Sequence, residues 1–149
     1  MASNVTSRKT VRDAVAALLS TALVGVGLPA NIVYAYKKAD FGKRSPVVCV
    51  TSAGSERVKN AQPVVTQSVF YIDVNVFVVM TATSWTENDS EDRIDLIEKM
   101  ITDVIEDNNS NSTWAWMDVN GRSQIEPILL GGDEYQHELI QLKVTLYNA

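Results

Sequence analysis

His137 and Cys49 are the only histidine and the only cysteine in the 149-residue chain. They are the first places to look for acid–base, thiolate or metal-binding chemistry. Cys49 lies inside the apolar run Pro46-Val47-Val48-Cys49-Val50, with no histidine or second cysteine close in sequence to hold a thiolate, and reads as a small buried hydrophobe. His137 falls on the polar phase of a strand-like stretch, near Glu134 and Glu138. Strand neighbours point to opposite faces, so no convergent set of ligands or proton-transfer partners is expected around the imidazole, which reads as an ordinary surface histidine.

Gly25-Val26-Gly27-Leu28-Pro29-Ala30 fits a loose dinucleotide-binding pattern, but that fingerprint has to follow a strand and open a helix. Here it follows a helical stretch and contains a proline, so it reads as a helix stop. The chain holds no glycine-lysine phosphate loop, His-Glu-x-x-His, paired-cysteine motif or serine nucleophile elbow. Asn4-Val5-Thr6, Asn88-Asp89-Ser90 and Asn111-Ser112-Thr113 fit a glycosylation pattern, which carries no weight without a secretory signal. The expectation is a protein with no catalytic residues, no cofactor and no metal. Catalytic groups scattered along a chain leave no motif, and a small intracellular enzyme with an unrecognised site stays open as the alternative from a different class.

The elements that would position any site begin with Val69 to Met80. Ile72, Val74, Val76, Val78 and Met80 fall on one side, Tyr71, Asp73, Asn75 and Phe77 on the other, the period-two pattern of a long strand with one apolar face. Such a strand needs paired strands beside it and a covering layer above it. Val11, Ala14, Val15, Leu18, Leu19, Ala22 and Leu23 recur at helical spacing, with Ala16, Ala17, Ser20 and Thr21 opposite. This predicts an amphipathic helix from about Ser7 to Val24, ended by Gly25, Gly27 and Pro29. Ala14 to Tyr36 carries no charge, yet the one-sided stripe and the glycine–proline stop argue against a membrane span or secretory signal; with Met1 leading the chain, no cleaved leader is expected.

Ile32 to Tyr36 and Pro46 to Thr51 read as two strands joined by the polar segment 37–45, most simply as an antiparallel hairpin. Ala53 to Ser68 is expected to be a long loop of the kind that meets a partner. Asn88-Asp89-Ser90 offers capping side chains for a second helix with Ile94, Ile97, Ile101, Val104 and Ile105 as its buried stripe, broadened by Leu96 and Met100. Trp114 and Trp116 share one face of a short extended segment and are expected in the core. Asn120-Gly121 reads as a hairpin-type turn, Gln124 to Leu130 as a strand, Gly131-Gly132-Asp133 as a turn, and Tyr135 to Tyr147 as a last strand whose pattern repeats that of the central one. The expected fold is one α+β domain over residues 1–149, with a largely antiparallel β-sheet covered on one face by two α-helices.

Composition adds one asymmetry. With 46% hydrophobic and 21% charged residues, a chain of this size buries about two-thirds of its unfolded surface as a single domain. A net charge of −5 argues against a general nucleic-acid binder, which needs a basic excess. Residues 1–60 hold nine Lys/Arg against three acids, and residues 61–149 hold four against fifteen, giving +6 and −11. One reading is a solvated surface with accidental clustering. The other is that unlike faces dock onto neighbouring copies or stacked partners, complementary potentials fixing the register. On the second reading Lys43, Arg44, Arg57 and Lys59 are the candidate interface residues.

The order of these elements resembles that of the tail terminator proteins of long-tailed bacteriophages, carried by Thr10 to Leu23, Ser68 to Met80, Ser90 to Ile105, and Ile125 to Tyr147 with its Gly131-Gly132-Asp133 turn. The likeness spans nearly the whole chain and lies in length, order and hydrophobic pattern rather than in a signature motif. It implies a structural virion protein, assembled in the host cytoplasm, that forms a homo-oligomeric ring, usually six-fold. Such a ring caps the head-proximal end of the tail tube, stops tube polymerisation and joins head-completion or neck proteins. The implied partners are copies of itself, the tail tube protein and connector proteins, with no membrane and no specific nucleic-acid recognition, the genome passing through the ring. Another head-to-tail connector subunit would share these features.

Overall fold

The computed structural model describes residues 6–60 and 65–148. Their elements are α1 (Arg8–Leu23), β1 (Ile32–Tyr34), β2 (Val47–Asn60), β3 (Val65–Val79), α2 (Glu87–Asp107), β4 (Trp116–Val119), β5 (Gln124–Leu130) and β6 (Asp133–Asn148). β3 is the central strand. It runs antiparallel to β2 from Val47↔Phe77 to Asn60↔Val65 and antiparallel to β6 from Thr66↔Asn148 to Val79↔Tyr135.

The alternation that marks β3 sorts the whole sheet. Ile72, Val74, Val76 and Val78 are fully buried, and their cross-strand partners on one face include Val48 and Val50 from β2 and Ile140 and Leu142 from β6. Both helices cover this face. α1 contributes Val11, Val15, Leu19 and Leu23, and α2 contributes Ile94, Ile97, Ile101 and Ile105, all in one core cluster. Each such side chain stabilises by about 1.5 to 3 kcal/mol when removed from water. Ala16, assigned to the outer side of α1 by its spacing, is buried as well. The fold is α+β, with helices on one face of a predominantly antiparallel sheet.

Local chemistry sets the helix ends. Ser7 caps α1 by accepting from the Thr10 amide at 3.1 Å. The cap of α2 is Thr86, ahead of the Asn88-Asp89-Ser90 stretch: the Thr86 hydroxyl accepts from the Asp89 amide, and the Asp89 carboxylate accepts from the Thr86 amide at 2.8 Å. This reciprocal box satisfies two amides that a helix start leaves free. Glu87 and Asp89 also place negative charge where the helix dipole favours it.

Four expectations are corrected. First, β1 pairs with β2 in parallel, Ile32↔Val47 to Tyr34↔Cys49, so the two are not an antiparallel hairpin. The connection 35–46 crosses the uncovered face of the sheet and buries Phe41 against Phe77 and Tyr135, with ring centroids 4.9 and 5.5 Å apart. Second, Ala53 to Ser68 is mostly strand: β2 and β3 stay paired through Asn60↔Val65 after a bulge between Ser52 and Gly54. Residues 61–64 of that stretch lie outside the described residues. The polar side chains that suggested a loop are those of a two-stranded arm lined on its other flank by β6.

Third, Asn120-Gly121 is not a hairpin turn. β4 and β5 pair in succession with the same side of β6, Val119↔Leu142 and then Gln124↔Leu139, and the segment between them bulges out. Asn120 holds the bulge to Gln141 through its amide at 2.7 Å and its side chain at 2.7 Å. The reversal comes at Gly131 and Gly132, both with positive φ, which suits a two-residue turn between strands. Fourth, Trp114 is buried but Trp116 is 52% exposed. Trp114 belongs to the loop before β4, where the Asn111 carboxamide accepts from the Thr113 and Trp114 amides; the backbone is not extended there, so strand alternation does not link the two rings.

Among the described residues no helix is long and apolar enough to cross a membrane. Because Val76 and Leu142 are completely buried in the face shared by β3, β6 and the helices, Val76→Asp or Leu142→Asp places an unpaired charge there. The cost is several kcal/mol against a typical total of about 5 to 15 kcal/mol. Thermal melting should show loss of the cooperative transition; an unchanged Tm in both variants would mean that this face is not the core.

Candidate functional site

The face of the sheet opposite the helices carries the outward phase of the same strands: Cys49 and Thr51 from β2, Asp73, Asn75 and Phe77 from β3, and Tyr135, His137 and Gln141 from β6. The crossing segment 35–46 covers one end, where Phe41, Val47, Cys49, Phe77 and Tyr135 form a second, small apolar cluster. Beside it lies a cleft of about 730 Å³, floored by Thr51, Asp73, Asn75 and His137 and rimmed by Arg12, Lys37 and Lys38.

The cleft floor is a ladder of satisfied cross-strand bonds. The Asn75 Nδ2 donates to the Cys49 carbonyl at 3.2 Å and the Thr51 hydroxyl at 3.3 Å, leaving Oδ1 as acceptor for His137 Nε2 at 3.0 Å. That network selects the Nε2–H tautomer of His137. Its ring stacks on Phe77, centroids 4.6 Å apart and planes at 9°. Burial pushes the imidazole below its ordinary pKa, opposed by the Glu126 carboxylate. Asp73 accepts from Gln141 Nε2 at 3.0 Å. Burial raises the Cys49 thiol above its ordinary value, opposed by a hydrogen bond from the Lys38 backbone.

A neutral imidazole clasped between Asn75 and Phe77 and a thiol held protonated do not make an activated nucleophile. Among the described residues no group of three or more His, Cys, Asp or Glu is arranged to hold a metal ion. His137 is therefore half-buried and bonded rather than a free surface residue, a difference that follows from Asn75, one strand away in space but remote in sequence.

The charged residues sort laterally. Sheet order is β1-β2-β3-β6-β4, with β5 continuing β4 along β6. α1 lies over the β1–β2 side, and there Arg8 Nη1 donates to Ser55 Oγ at 2.8 Å and Arg12 Nη1 to Ser52 Oγ at 3.1 Å. Arg12 Nε has no hydrogen-bond partner among the described residues. The opposite side, formed by α2, β5 and β6, carries Glu91, Asp95, Glu98, Glu126 and Glu134. Arg8, Arg12 and Arg57 of the +6 portion thus lie on one side of the sheet and the acids of α2 and β5 on the other, whereas Lys37, Lys38, Lys43 and Arg44 lie in the segment that crosses the open face. No protein-family profile and no curated protein matches the chain.

The four candidate interface residues do not form one patch. Lys43 and Arg44 are exposed in the turn of the crossing segment, where Lys43 has φ 65° and Arg44 Nη1 donates to the Tyr34 hydroxyl at 3.2 Å. Arg57 is on β2, donating to Ser68 Oγ at 2.9 Å with its guanidinium 5.0 Å from the Phe70 ring centroid. Lys59 lies further along the same strand; its side chain is outside the described residues. Val47 and Arg57 mark opposite ends of β2, a path of roughly 30 Å along the strand. Arg8 and Arg12 join the basic edge although nothing in their local spacing marked them; the helical register of α1 over β2 brings them there.

Among the described residues Glu138 is the one buried carboxylate, 3% exposed on the helix-covered face, with Ser123 Oγ donating to it at 2.8 Å. Burial holds its pKa above the ordinary value of 4.5, the Ser123 hydrogen bond opposes, and Glu98 and Asp95 on α2 add to the rise. The native state therefore binds this proton more tightly than the unfolded chain, and its contribution to stability declines as pH rises from 4.5 through the folded value. Glu138→Gln keeps an oxygen for Ser123 and removes the charge. At pH 7 its Tm should exceed that of the parent, the difference shrinking as pH falls towards 4.5. A lower Tm for the variant at pH 7 would mean that the ionised carboxylate is stabilising.

Proposed function

We propose that this protein is a structural ring subunit of a phage neck, a tail terminator that closes the head-proximal end of the tail tube and joins it to head-completion proteins. The observation that carries the reading is the lateral charge division: a basic α1/β2 edge and an acidic α2/β5/β6 edge on the same sheet. A subunit that meets one neighbour through one edge and a second neighbour through the other forms a head-to-tail contact, and such contacts close into rings when the rotation permits. Complementary edges favour that contact over like-with-like pairing, in which equal charges would face each other.

The remaining support is chemical. The cleft on the open face is built from bonds that the strands make to one another, and its histidine and cysteine are both held neutral. This favours a scaffold over a catalyst and makes the monomeric enzyme the weaker reading. The order and pattern of elements that resemble tail terminators extend over the same strands and helices that build the core. Another neck or connector subunit would use the same edges, and the difference between the two lies in what the flat faces of the ring contact.

Negative-stain electron microscopy of the purified protein tests the proposal directly. Rings with a central opening are the expected result, and added tail tube protein should stop at one face of such a ring. Uniform single-subunit particles at every concentration would overturn it.

A further inference from the structure

The cleft on the open face crosses four adjacent strands, and its two ends differ in chemistry. Thr51 of β2, Asn75 of β3, His137 of β6 and Ile128 and Leu130 of β5 line it in that order, a span of roughly 14 Å at the spacing of neighbouring strands. Its volume of about 730 Å³ falls within the roughly 300 to 1,000 Å³ of small-molecule sites.

Cations gather at the β2 end. The last pair of β1 is Tyr34↔Cys49, so at Ser52 β2 is the edge of the sheet, and Arg12 reaches the cleft from α1 around that edge, donating from Nη1 to Ser52 Oγ at 3.1 Å. Its Nε is buried and has no hydrogen-bond partner among the described residues, which leaves the guanidinium one donor short of an acceptor. Lys37 and Lys38 are exposed on the same rim, where the Lys38 backbone hydrogen bond to Cys49 holds the segment over β2. None of the three cations is in an ion pair among the described residues. The carboxylate that faces them, Asp73, already accepts from Gln141 Nε2 at 3.0 Å.

The β5 end is apolar. Ile128 and Leu130 are half-buried there against the small cluster that holds Phe41, Phe77 and Tyr135. Unpaired cations at one end and aliphatic side chains at the other suit a molecule with an apolar body and a single charged head.

We infer that this cleft is a binding site for a small amphipathic anion, an apolar chain with a terminal carboxylate. The carboxylate meets Arg12, Lys37 and Lys38, and the chain lies across Asn75 and His137 towards Ile128 and Leu130. Nothing in this site depends on contacts between subunits, so its test is separate from that of the ring reading.

His137 is the only histidine in the chain, so its ring Cε1–H gives a single proton NMR signal from the cleft floor. Three probes at constant pH separate the parts of the ligand: octanoate, 1-octanol with the chain but no charge, and acetate with the head but no chain. Octanoate should move the signal saturably, and the other two should bind about tenfold more weakly or less. Lys37→Gln/Lys38→Gln changes two exposed side chains and should weaken octanoate by about tenfold with the Tm unchanged, and Ile128→Asn should weaken octanoate but not acetate. The absence of a saturable shift with octanoate would overturn the site. Equal binding of octanol and octanoate, or unchanged octanoate binding in the double lysine variant, would overturn the recognition of the charged head, and with it the proposal.

Discussion

Burial of the inner face of β3 is the constraint on which the rest of the structure depends. Its apolar residues at every second position require a partner strand on each side and a layer above, and β2, β6 and the two helices meet that demand. The consequence reaches the surface. With β3 central, the sheet ends at β1/β2 on one side and β4/β5 on the other, and the helix packed over each side brings its own charges to that edge. Part of the charge division along the sequence becomes a division across the molecule, because α1 and β2 build one flank and α2, β4 and β5 the other, while the basic crossing segment lies over the open face.

The opposite face of the sheet solves a different problem. A face left open beside an aromatic such as Phe77 or Tyr135 would expose apolar area, and the crossing segment after β1 covers it with Phe41. Where the segment does not reach, polar side chains take over and bond across the strands, Asn75 with His137 and Gln141 with Asp73. The cleft is thus the boundary between an apolar and a polar way of finishing a sheet face. Its histidine has a structural task, which is to close the ladder and cover Phe77.

Periodic signals were legible in the sequence wherever one face of an element is buried along its length. β3, β6, α1 and the stripe of α2 follow from spacing alone, and β5 agrees with its sequence reading from end to end. The failures lie where spacing carries no information. A three-residue β1 is too short to show its direction, and only the burial of Phe41 against rings remote in sequence reveals that the chain crosses the face before returning. The arm of β2 and β3 beyond Gly54 has polar residues on both phases, so its strands look like a loop. Asn120-Gly121 has the residues of a hairpin turn, yet β6 runs past it as one continuous partner and turns it into a bulge. For the candidate interface, sequence counting located the basic half but not its shape: Arg57 lies on the β2 edge with Arg8 and Arg12, whereas Lys43 and Arg44 belong to the crossing segment at the far end of β2.

The claim that these opposed edges hold copies together is most directly tested by the salt dependence of self-association, measured by sedimentation equilibrium. At low ionic strength the charges of facing edges attract across the Debye length of about 30 Å at 0.01 M, and at 1 M that length shrinks to about 3 Å. The association constant should fall steadily with added salt. A protein that stays monomeric at 0.01 M salt, or an oligomer whose association constant is the same at both concentrations, would contradict the account.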